Sequence, residues 1–327
     1  MTVRQTNWLN GLGVVAVWGF LTLAVVESSE AATVSSKNAL ADTLKTHVKV
    51  LASDIGERSV ERGSGLDRAR AYVIDTLDKA GLDVREQVYT YKGRSANREV
   101  ANIIATLPGY MELTPPYLVG AHYDTVWGTP GADDNASGVA VLLELAKRAA
   151  ADPPPVPVTF VAFTLEEPPS FGTDHQGSRV FVKKLKEKGE TVAGAIVLEM
   201  VGMTKADQEY PVFLKMAGYP DRGDFIGVVG NGNSKGFGEH VVAAMRQNPA
   251  LPVETLYVWL NGWLLPDTRL SDHASFWDAG IPALMVTDTA YFRNPNYHNP
   301  GDKPGTLDYR FMAELVDSLD RALRRLP

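Results

Sequence analysis

Histidine and carboxylate side chains are the residues of this chain best suited to chemistry, because the sequence has six histidines and no cysteine. His122 ends an apolar run and lies two residues before Asp124, in the segment Gly-Ala-His-Tyr-Asp. This spacing is typical of a metal-binding histidine whose second ring nitrogen is oriented by a carboxylate. Taken alone, the pair is also consistent with a loop histidine held by an aspartate.

A turn bracketed by glycines follows His122 after a short loop. Residues 131–138 read Gly-Ala-Asp-Asp-Asn-Ala-Ser-Gly and open a predicted helix. Acidic residues are common caps at helix starts, so this segment alone indicates either a cap or a ligand. Its nearness to His122 favours a ligand, because the loop returns an acid to the same strand end.

Three further acids and a histidine complete the set of candidate ligands. Glu166 and Glu167 directly follow a buried strand, and Glu199 ends another apolar run. His298 lies in the segment Asn-Tyr-His-Asn-Pro-Gly-Asp over residues 296–302. Singly, each is consistent with a surface acid or a structural histidine. Together, five groups at successive strand ends predict a nitrogen-and-oxygen cluster suited to zinc.

The remaining four histidines have weaker patterns. His47 and His240 lie in predicted helices without nearby acids, and we expect surface or packing roles for both. His175 follows Glu167 in a loop, which leaves open whether it approaches the site. His273 begins a helix, and we expect it to shape the pocket rather than to bind metal.

The elements that position these residues alternate between strands and helices. Residues 158–163 are apolar without alternation, which is typical of strands buried on both faces. Predicted strands cover residues 84–91, 100–107, 117–121, 156–165, 195–200, 225–229, 253–260 and 283–287. Predicted helices cover residues 40–51, 66–80, 137–151, 177–188, 238–247 and 309–325. This order predicts an α/β sandwich around a mostly parallel sheet, and no linker divides residues 35–327, which we expect to form one catalytic domain.

Composition excludes several classes of function. The 327 residues are 45% hydrophobic and have a formal net charge of -7, and the basic residues are scattered except for Arg324 and Arg325. That pattern argues against a nucleic-acid partner. The absence of cysteine excludes disulfides, thiolate nucleophiles and cysteine-type zinc sites, so any metal must be held by histidines and carboxylates.

Residues 1–31 have the pattern of an export signal. Arg4 precedes an uncharged apolar run over residues 11–26, and small residues at positions 29 and 31 are suited to a signal peptidase. We expect a cleaved signal peptide, with an uncleaved membrane anchor or a buried first helix as alternatives. The first two readings place the rest of the chain in the periplasm or outside the cell, with membrane contact only through this segment.

The motif set resembles the di-zinc aminopeptidase family of metallopeptidases, which includes bacterial leucyl aminopeptidase, aminopeptidase Y and glutamate carboxypeptidase. The resemblance covers residues 40–320 and implies a three-layer α/β/α sandwich with a mixed sheet. It rests on six segments: residues 122–124, 131–138, 166–167, 198–200, 271–273 and 297–298.

The resemblance implies a ligand set for two zinc ions. By position, Asp134 bridges both ions. His122 and Glu199 complete one site, and Glu167 and His298 complete the other. The family usually has aspartate where this chain has Glu199, which we expect to change or weaken that site.

The resemblance also implies catalytic roles. Glu166 matches the general base, and Asp124 the partner that orients His122. From the charge that develops during hydrolysis, we expect Tyr297 to help hold the oxyanion. It further implies a cis peptide bond between Asp134 and Asn135. The segment 168–176 is longer than in the simplest members of the family, so substrate preference cannot be transferred from them.

These residues predict a zinc-dependent aminopeptidase that hydrolyses N-terminal residues from peptides with a free N-terminus. One alternative is a glutaminyl-cyclase-like enzyme, which shares the fold and uses one zinc. Another is a non-catalytic, receptor-like binding domain, against which the presence of five ligands and Glu166 argues. A serine hydrolase is discounted, because Ser64 lies between glycines but follows no buried strand.

Overall fold

The computed structural model describes residues 34–93, 97–109 and 114–327. The predicted export signal over residues 1–31 lies outside these ranges. Among the helices of the described residues, none is long and apolar enough to cross a membrane.

One mixed sheet organises the described residues. Its eight strands lie in the order β1-β2-β4-β3-β5-β8-β6-β7. The central strands β4, β3, β5 and β8 are mutually parallel, whereas β2 and β6 join them antiparallel. The strands are β1 (Asp83–Lys92), β2 (Asn97–Thr106), β3 (Tyr117–His122), β4 (Val158–Phe163), β5 (Gly194–Glu199), β6 (Ile226–Asn231), β7 (Val253–Val258) and β8 (Ala283–Thr287).

Helices cover both faces of this sheet, so the prediction of a three-layer α/β/α fold is confirmed. The helices are α1 (residues 34–49), α2 (Gly65–Lys79), α3 (Gly138–Ala151), α4 (Gly177–Lys188), α5 (Val212–Met216), α6 (Lys235–Met245), α7 (His273–Asp278) and α8 (Tyr309–Leu323). One core forms where α1, α2, α3, α6 and α8 pack on the sheet. A second forms on the opposite face beneath α4 and α7.

The parallel centre of the sheet determines where polar side chains meet. β3, β4 and β5 are buried at every position, because helices cover both of their faces. Since these strands run in the same direction, their carboxyl ends reach the same edge of the sheet. The first polar side chains after each strand therefore lie near one another.

Element boundaries differ from the sequence prediction where turns intervene. β7 ends at Val258 instead of residue 260, because Leu260, Asn261 and Gly262 adopt left-handed backbone in a turn. α6 begins at residue 235, three residues before its predicted start. Its early start follows from Asn231, whose side chain accepts a hydrogen bond from the Ser234 amide and caps the preceding turn.

Candidate metal centre

The candidate ligands converge on the carboxyl edge of the central strands. His122 is the last residue of β3, and Glu199 is the last residue of β5. Glu167 follows the end of β4 by four residues, and Asp134 lies in the turn between β3 and α3. His298 comes from the loop after β8. The structure thus brings together all five side chains that the sequence predicted as ligands.

Asp134 is the centre of this cluster, and its two carboxylate oxygens face different histidines. Oδ1 lies 3.3 Å from His122 Nε2, and Oδ2 lies 3.2 Å from His298 Nε2. Glu199 Oε2 lies 3.4 Å from the same nitrogen of His122. Glu167 Oε2 lies 3.2 Å from the same nitrogen of His298. The arrangement has two halves, each with one histidine and one glutamate, that share Asp134.

Polar contacts hold the Asp134 turn in place. The Asp302 carboxylate accepts hydrogen bonds from the backbone amides of Asp133 and Asp134. The Asn135 side chain donates to the Leu198 carbonyl and accepts from the Met200 amide, which joins the turn to the end of β5. The Asp134–Asn135 peptide bond is cis, as the resemblance implied.

Arg58 supports the same turn by donating hydrogen bonds to backbone carbonyls at its start. This residue was not predicted from the sequence. Its guanidinium is fully buried, and among the described residues it donates only to backbone carbonyls, those of Leu51, Gly56, Tyr123, Pro130 and Gly131. Burial lowers its pKa to about 10. Gly131 has left-handed backbone, and a Cβ there would lie 2.3 Å from the Asp134 carbonyl, so glycine is required.

Asp124 organises the opposite side of the centre. Its Oδ1 lies 3.5 Å from His122 Nδ1. Its two oxygens also accept hydrogen bonds from the backbone amides of Glu166 and Glu167. Leu165, immediately before this pair, adopts left-handed backbone with φ of 57°. Asp124 therefore positions the segment that presents the two glutamates and places a carboxylate beside the histidine ring.

Glu199 is held by a hydroxyl group. The Ser271 Oγ donates to Glu199 Oε2 at 2.7 Å. Ser271 belongs to the segment that begins α7, and its role in orienting this ligand was not predicted from the sequence. The longer glutamate side chain thus has a defined partner at its tip.

Burial and crowding of carboxylates dominate the electrostatics of the site. Burial raises the pKa of Glu167 to about 8 and raises that of Glu166 well above its ordinary value. The pKa of Asp134 is lowered despite burial, because both facing histidines stabilise its charge. The surrounding acids outweigh burial at His298 and raise its pKa to about 10. Four buried acids facing two histidines form an environment that favours added positive charge.

The donor set fits a divalent cation. One ligand atom each from His122, Asp134 and Glu167 lies within 4.8 Å of the others. Neither ring nitrogen of His122 has a hydrogen-bond partner among the described residues, and the same holds for Glu167 Oε1. Buried polar atoms are rarely left without partners in native proteins. Imidazole nitrogens and carboxylate oxygens together suit zinc.

Tyr297 lies at the rim of this centre. Its ring stacks on that of His298 with centroids 3.7 Å apart. Together with Glu199 it lines an apolar cavity of about 140 Å³ on the adjacent face of β6, β7 and β8. Burial and the neighbouring acids raise the pKa of Tyr297, so the phenol remains a hydrogen-bond donor at neutral pH.

The other histidines lie away from the ligands. His47 is buried between Tyr72 and Glu144, and His240 lies exposed on α6. His175 packs against Tyr91 beside β1 and does not join the ligand cluster. His273 is buried and contacts the carbonyl of Thr268, a residue that lines the cavity.

The chain is similar to known proteins in sequence and in fold. A model of the family described as Peptidase family M28 matches residues 102–320. The Escherichia coli K12 protein described as uncharacterized protein YfbL is 35% identical over 294 residues, covering 86% of this chain and 87% of that protein. A probable leucine aminopeptidase of Arthroderma otae is 29% identical over 223 residues, 65% of this chain. This chain matches 53% of that fungal protein, so it spans about half of its length.

Solved structures share the fold. A glutaminyl cyclase of Porphyromonas gingivalis superposes with a TM-score of 0.66 at 21% identity, covering 86% of this chain and 97% of that one. A Zn-dependent exopeptidase of Parabacteroides distasonis superposes with a TM-score of 0.65 at 18% identity, covering 87% and 97%. Identities this low establish a common fold only.

Proposed function

Because the chain belongs to peptidase family M28, we propose that it is a zinc-dependent exopeptidase that removes N-terminal residues from peptides. The observation that supports this most is the position of the Asp134 carboxylate, whose two oxygens face two different histidines. The names of two fungal relatives support cleavage at the N-terminus of the peptide, since both are described as probable leucine aminopeptidases.

We assign two ions to the centre. His122 and Glu199 would hold one, His298 and Glu167 would hold the other, and the Asp134 carboxylate, which faces both histidines, would be shared between the two sites. When bound, zinc supplies Lewis acidity, which polarises a carbonyl group and lowers the pKa of water from about 15.7 towards 7. The protein contributes the orientation of the ligands, through Asp124, Ser271 and Asp302.

Glu166 is the proposed proton carrier. Its Oε2 lies 3.9 Å from His122 Nε2, farther than the oxygens of Asp134 and Glu199. Burial raises the pKa of this carboxyl group, which suits a base that must also return a proton. In the proposed reaction it takes a proton from the attacking water and delivers one to the leaving amine. Asp124 keeps it in place through the backbone of the segment.

Tyr297 is the proposed donor to the carbonyl oxygen of the scissile bond. It lines the cavity beside Glu199, and its raised pKa keeps the hydroxyl protonated. Hydrogen-bond donors placed where negative charge develops are among the largest contributions to hydrolysis. Stacking on His298 restricts the orientation of its ring.

The test is hydrolysis of leucine 4-nitroanilide by protein depleted of metal and then given zinc in measured amounts. We expect activity to be lost on depletion, to return with zinc and to saturate near two equivalents. N-acetyl-leucine 4-nitroanilide is the matched control, and we expect it to resist cleavage because its amine is blocked. Full activity at one equivalent, with cyclisation of an N-terminal glutamine substrate, would favour the glutaminyl-cyclase alternative instead.

We also propose that the protein is exported by its first 31 residues. The apolar run over residues 11–26 after Arg4 supports this. Cell fractionation followed by N-terminal sequencing should find the protein outside the cytoplasm, beginning near Ala32 if the signal is cleaved. Cytoplasmic protein that retains Met1 would contradict export.

A further inference from the structure

The apolar cavity beside the metal centre has a floor formed by four adjacent strands. Glu199 of β5 pairs with Thr287 of β8, which pairs with Gly227 of β6, which pairs with Glu254 of β7. All four residues line the cavity. Residues directly opposite one another on neighbouring strands point to the same face of a sheet. The row therefore runs from a candidate zinc ligand to a second carboxylate at the edge strand.

The middle of this row is open. A Cβ added at Gly227 would come no nearer than 3.4 Å to its neighbours, the nearest being the Thr287 carbonyl, which is ordinary contact. The glycine is thus not required by its surroundings, and its effect is to leave space above the floor. Apolar side chains form the walls around that space, including Phe213, Leu256 and Met285.

The charged side chains that line the cavity all have the same sign. Among the described residues that line it there are three acids and no lysine, arginine or histidine. Asp267 interacts with the Tyr291 hydroxyl. The Glu254 side chain has no ion pair or hydrogen bond to any described residue. The Tyr210 hydroxyl, also in the lining, is buried and has no hydrogen-bond partner in the same part of the chain. The lining of the cavity thus includes a carboxylate and a hydroxyl without hydrogen-bond partners among the described residues, and these groups can bind a cationic hydrogen-bond donor.

We propose that Glu254 selects peptides whose N-terminal residue is arginine or lysine, an inference that rests on the proposed exopeptidase function. Neighbouring strands are about 4.8 Å apart, so three steps separate the Cα atoms of Glu199 and Glu254 by about 14 Å. Because both glutamates extend from the same face of the sheet, their carboxylates are separated by roughly the same distance. The α-amine and side-chain cation of an extended arginine are roughly 8 Å apart. With a charged hydrogen bond of about 2.8 Å at each end, the ligand spans about 13–14 Å.

The apolar walls fit the rest of such a side chain. The aliphatic stems of arginine and lysine favour apolar surroundings while their charged ends reach polar groups. A leucine side chain is two to three bonds shorter and ends about 4 Å before Glu254. It contacts the walls and leaves the carboxylate unpaired. The cavity therefore accepts leucine but is matched in length and charge to the longer basic residues.

The test compares 4-nitroanilides of arginine, citrulline, leucine and alanine with the zinc-loaded enzyme. Citrulline has the shape of arginine without its charge. We expect kcat/KM for arginine to exceed that for citrulline by about 10- to 100-fold, the range of a charged hydrogen bond. Glu254→Gln should remove this ratio and leave leucine hydrolysis within about threefold. Glu239→Gln on α6, which packs against the opposite face of the sheet, is the matched control and should preserve the ratio.

The outcomes separate this inference from the function on which it rests. Hydrolysis of leucine with equal rates for arginine and citrulline would overturn the role of Glu254 and leave the exopeptidase function standing. So would an arginine preference that Glu254→Gln does not change. Failure of the zinc-loaded enzyme to hydrolyse any of the four substrates would overturn both.

Discussion

Shortening Glu199 to aspartate, the residue usual in the resembling family, is expected to weaken the metal centre. Glu199 Oε2 accepts a hydrogen bond from Ser271 at 2.7 Å and lies 3.4 Å from His122 Nε2. Removing one methylene withdraws the carboxylate by about 1.5 Å. The contact with Ser271 then lengthens to about 4 Å, beyond hydrogen-bond distance. Since metal ligation tolerates deviations of only about 0.2 Å, the shorter side chain cannot substitute for the longer one without movement of β5.

The expected loss is at least about 100-fold in affinity for the ion on the His122 side, the upper end of what losing one supporting partner costs. Competition for zinc between metal-free protein and a fluorescent chelator measures it. Ser271→Ala keeps the ligand and removes only its hydrogen-bond donor, so we expect a smaller loss of about 10-fold. If Glu199→Asp bound two equivalents of zinc as tightly as the wild type, the proposed match between Glu199 and Ser271 would be wrong.

Glu166→Gln should bind zinc normally and lose about 10²- to 10⁴-fold in kcat, because it removes proton transfer and leaves the ligands intact; near-normal turnover would exclude Glu166 as the base. Burial lowers the pKa of His273 from 6.5 to about 4, so between these pH values the unfolded chain binds more protons and stability falls as the pH falls. Urea unfolding of the metal-free protein measures this fall in the free energy of unfolding, and we expect it to be about 3 kcal/mol smaller in His273→Asn than in the wild type. Equal pH dependence of the free energy of unfolding in the two proteins would contradict the lowered pKa of His273. Arg58→Met removes the guanidinium donor from five carbonyl oxygens, of which those of Leu51 and Gly131 keep a backbone amide donor. It should lower the free energy of unfolding by about 3 kcal/mol or more in the same assay, whereas a loss below about 1 kcal/mol would show that these contacts contribute little.

The sequence predicted the strand ends well because the central strands are buried on both faces. In β3 and β5 every position is buried, so the first histidine or carboxylate after an apolar run marks the edge of the sheet. His122 and Glu199 were found by this signal. Asp134 was harder to assign, because Asp133 is also acidic and stands beside it; the choice between them depended on the family resemblance.

Long-range features could not be predicted in the same way. β4 lies between β2 and β3, and β8 lies between β5 and β6, an order that local periodicity does not encode. The cavity depends on that order, since Glu199 and Glu254 are 55 positions apart in the chain and share one row only through β8 and β6. Arg58 was missed because an isolated arginine in a loop is usually exposed.

The structure offers a physical basis for separating the acids that ligate from the acids that support. Asp133 accepts hydrogen bonds from the Gly202 amide and the Asn294 side chain, one on each oxygen, so its carboxylate is already satisfied. Asp124 and Asp302 likewise accept from backbone amides. Within the described part of the chain, the Asp134 oxygens instead have imidazole nitrogens as their only donor partners, 3.2 Å and 3.3 Å away. An acid whose oxygens accept from amides orients the backbone, even where one oxygen also lies beside a histidine nitrogen, as in Asp124. An acid that faces histidine nitrogens without amide donors is available to bind a cation. Both kinds follow apolar strands and look alike in the sequence, and the difference arises only when distant backbone amides are brought against one of them.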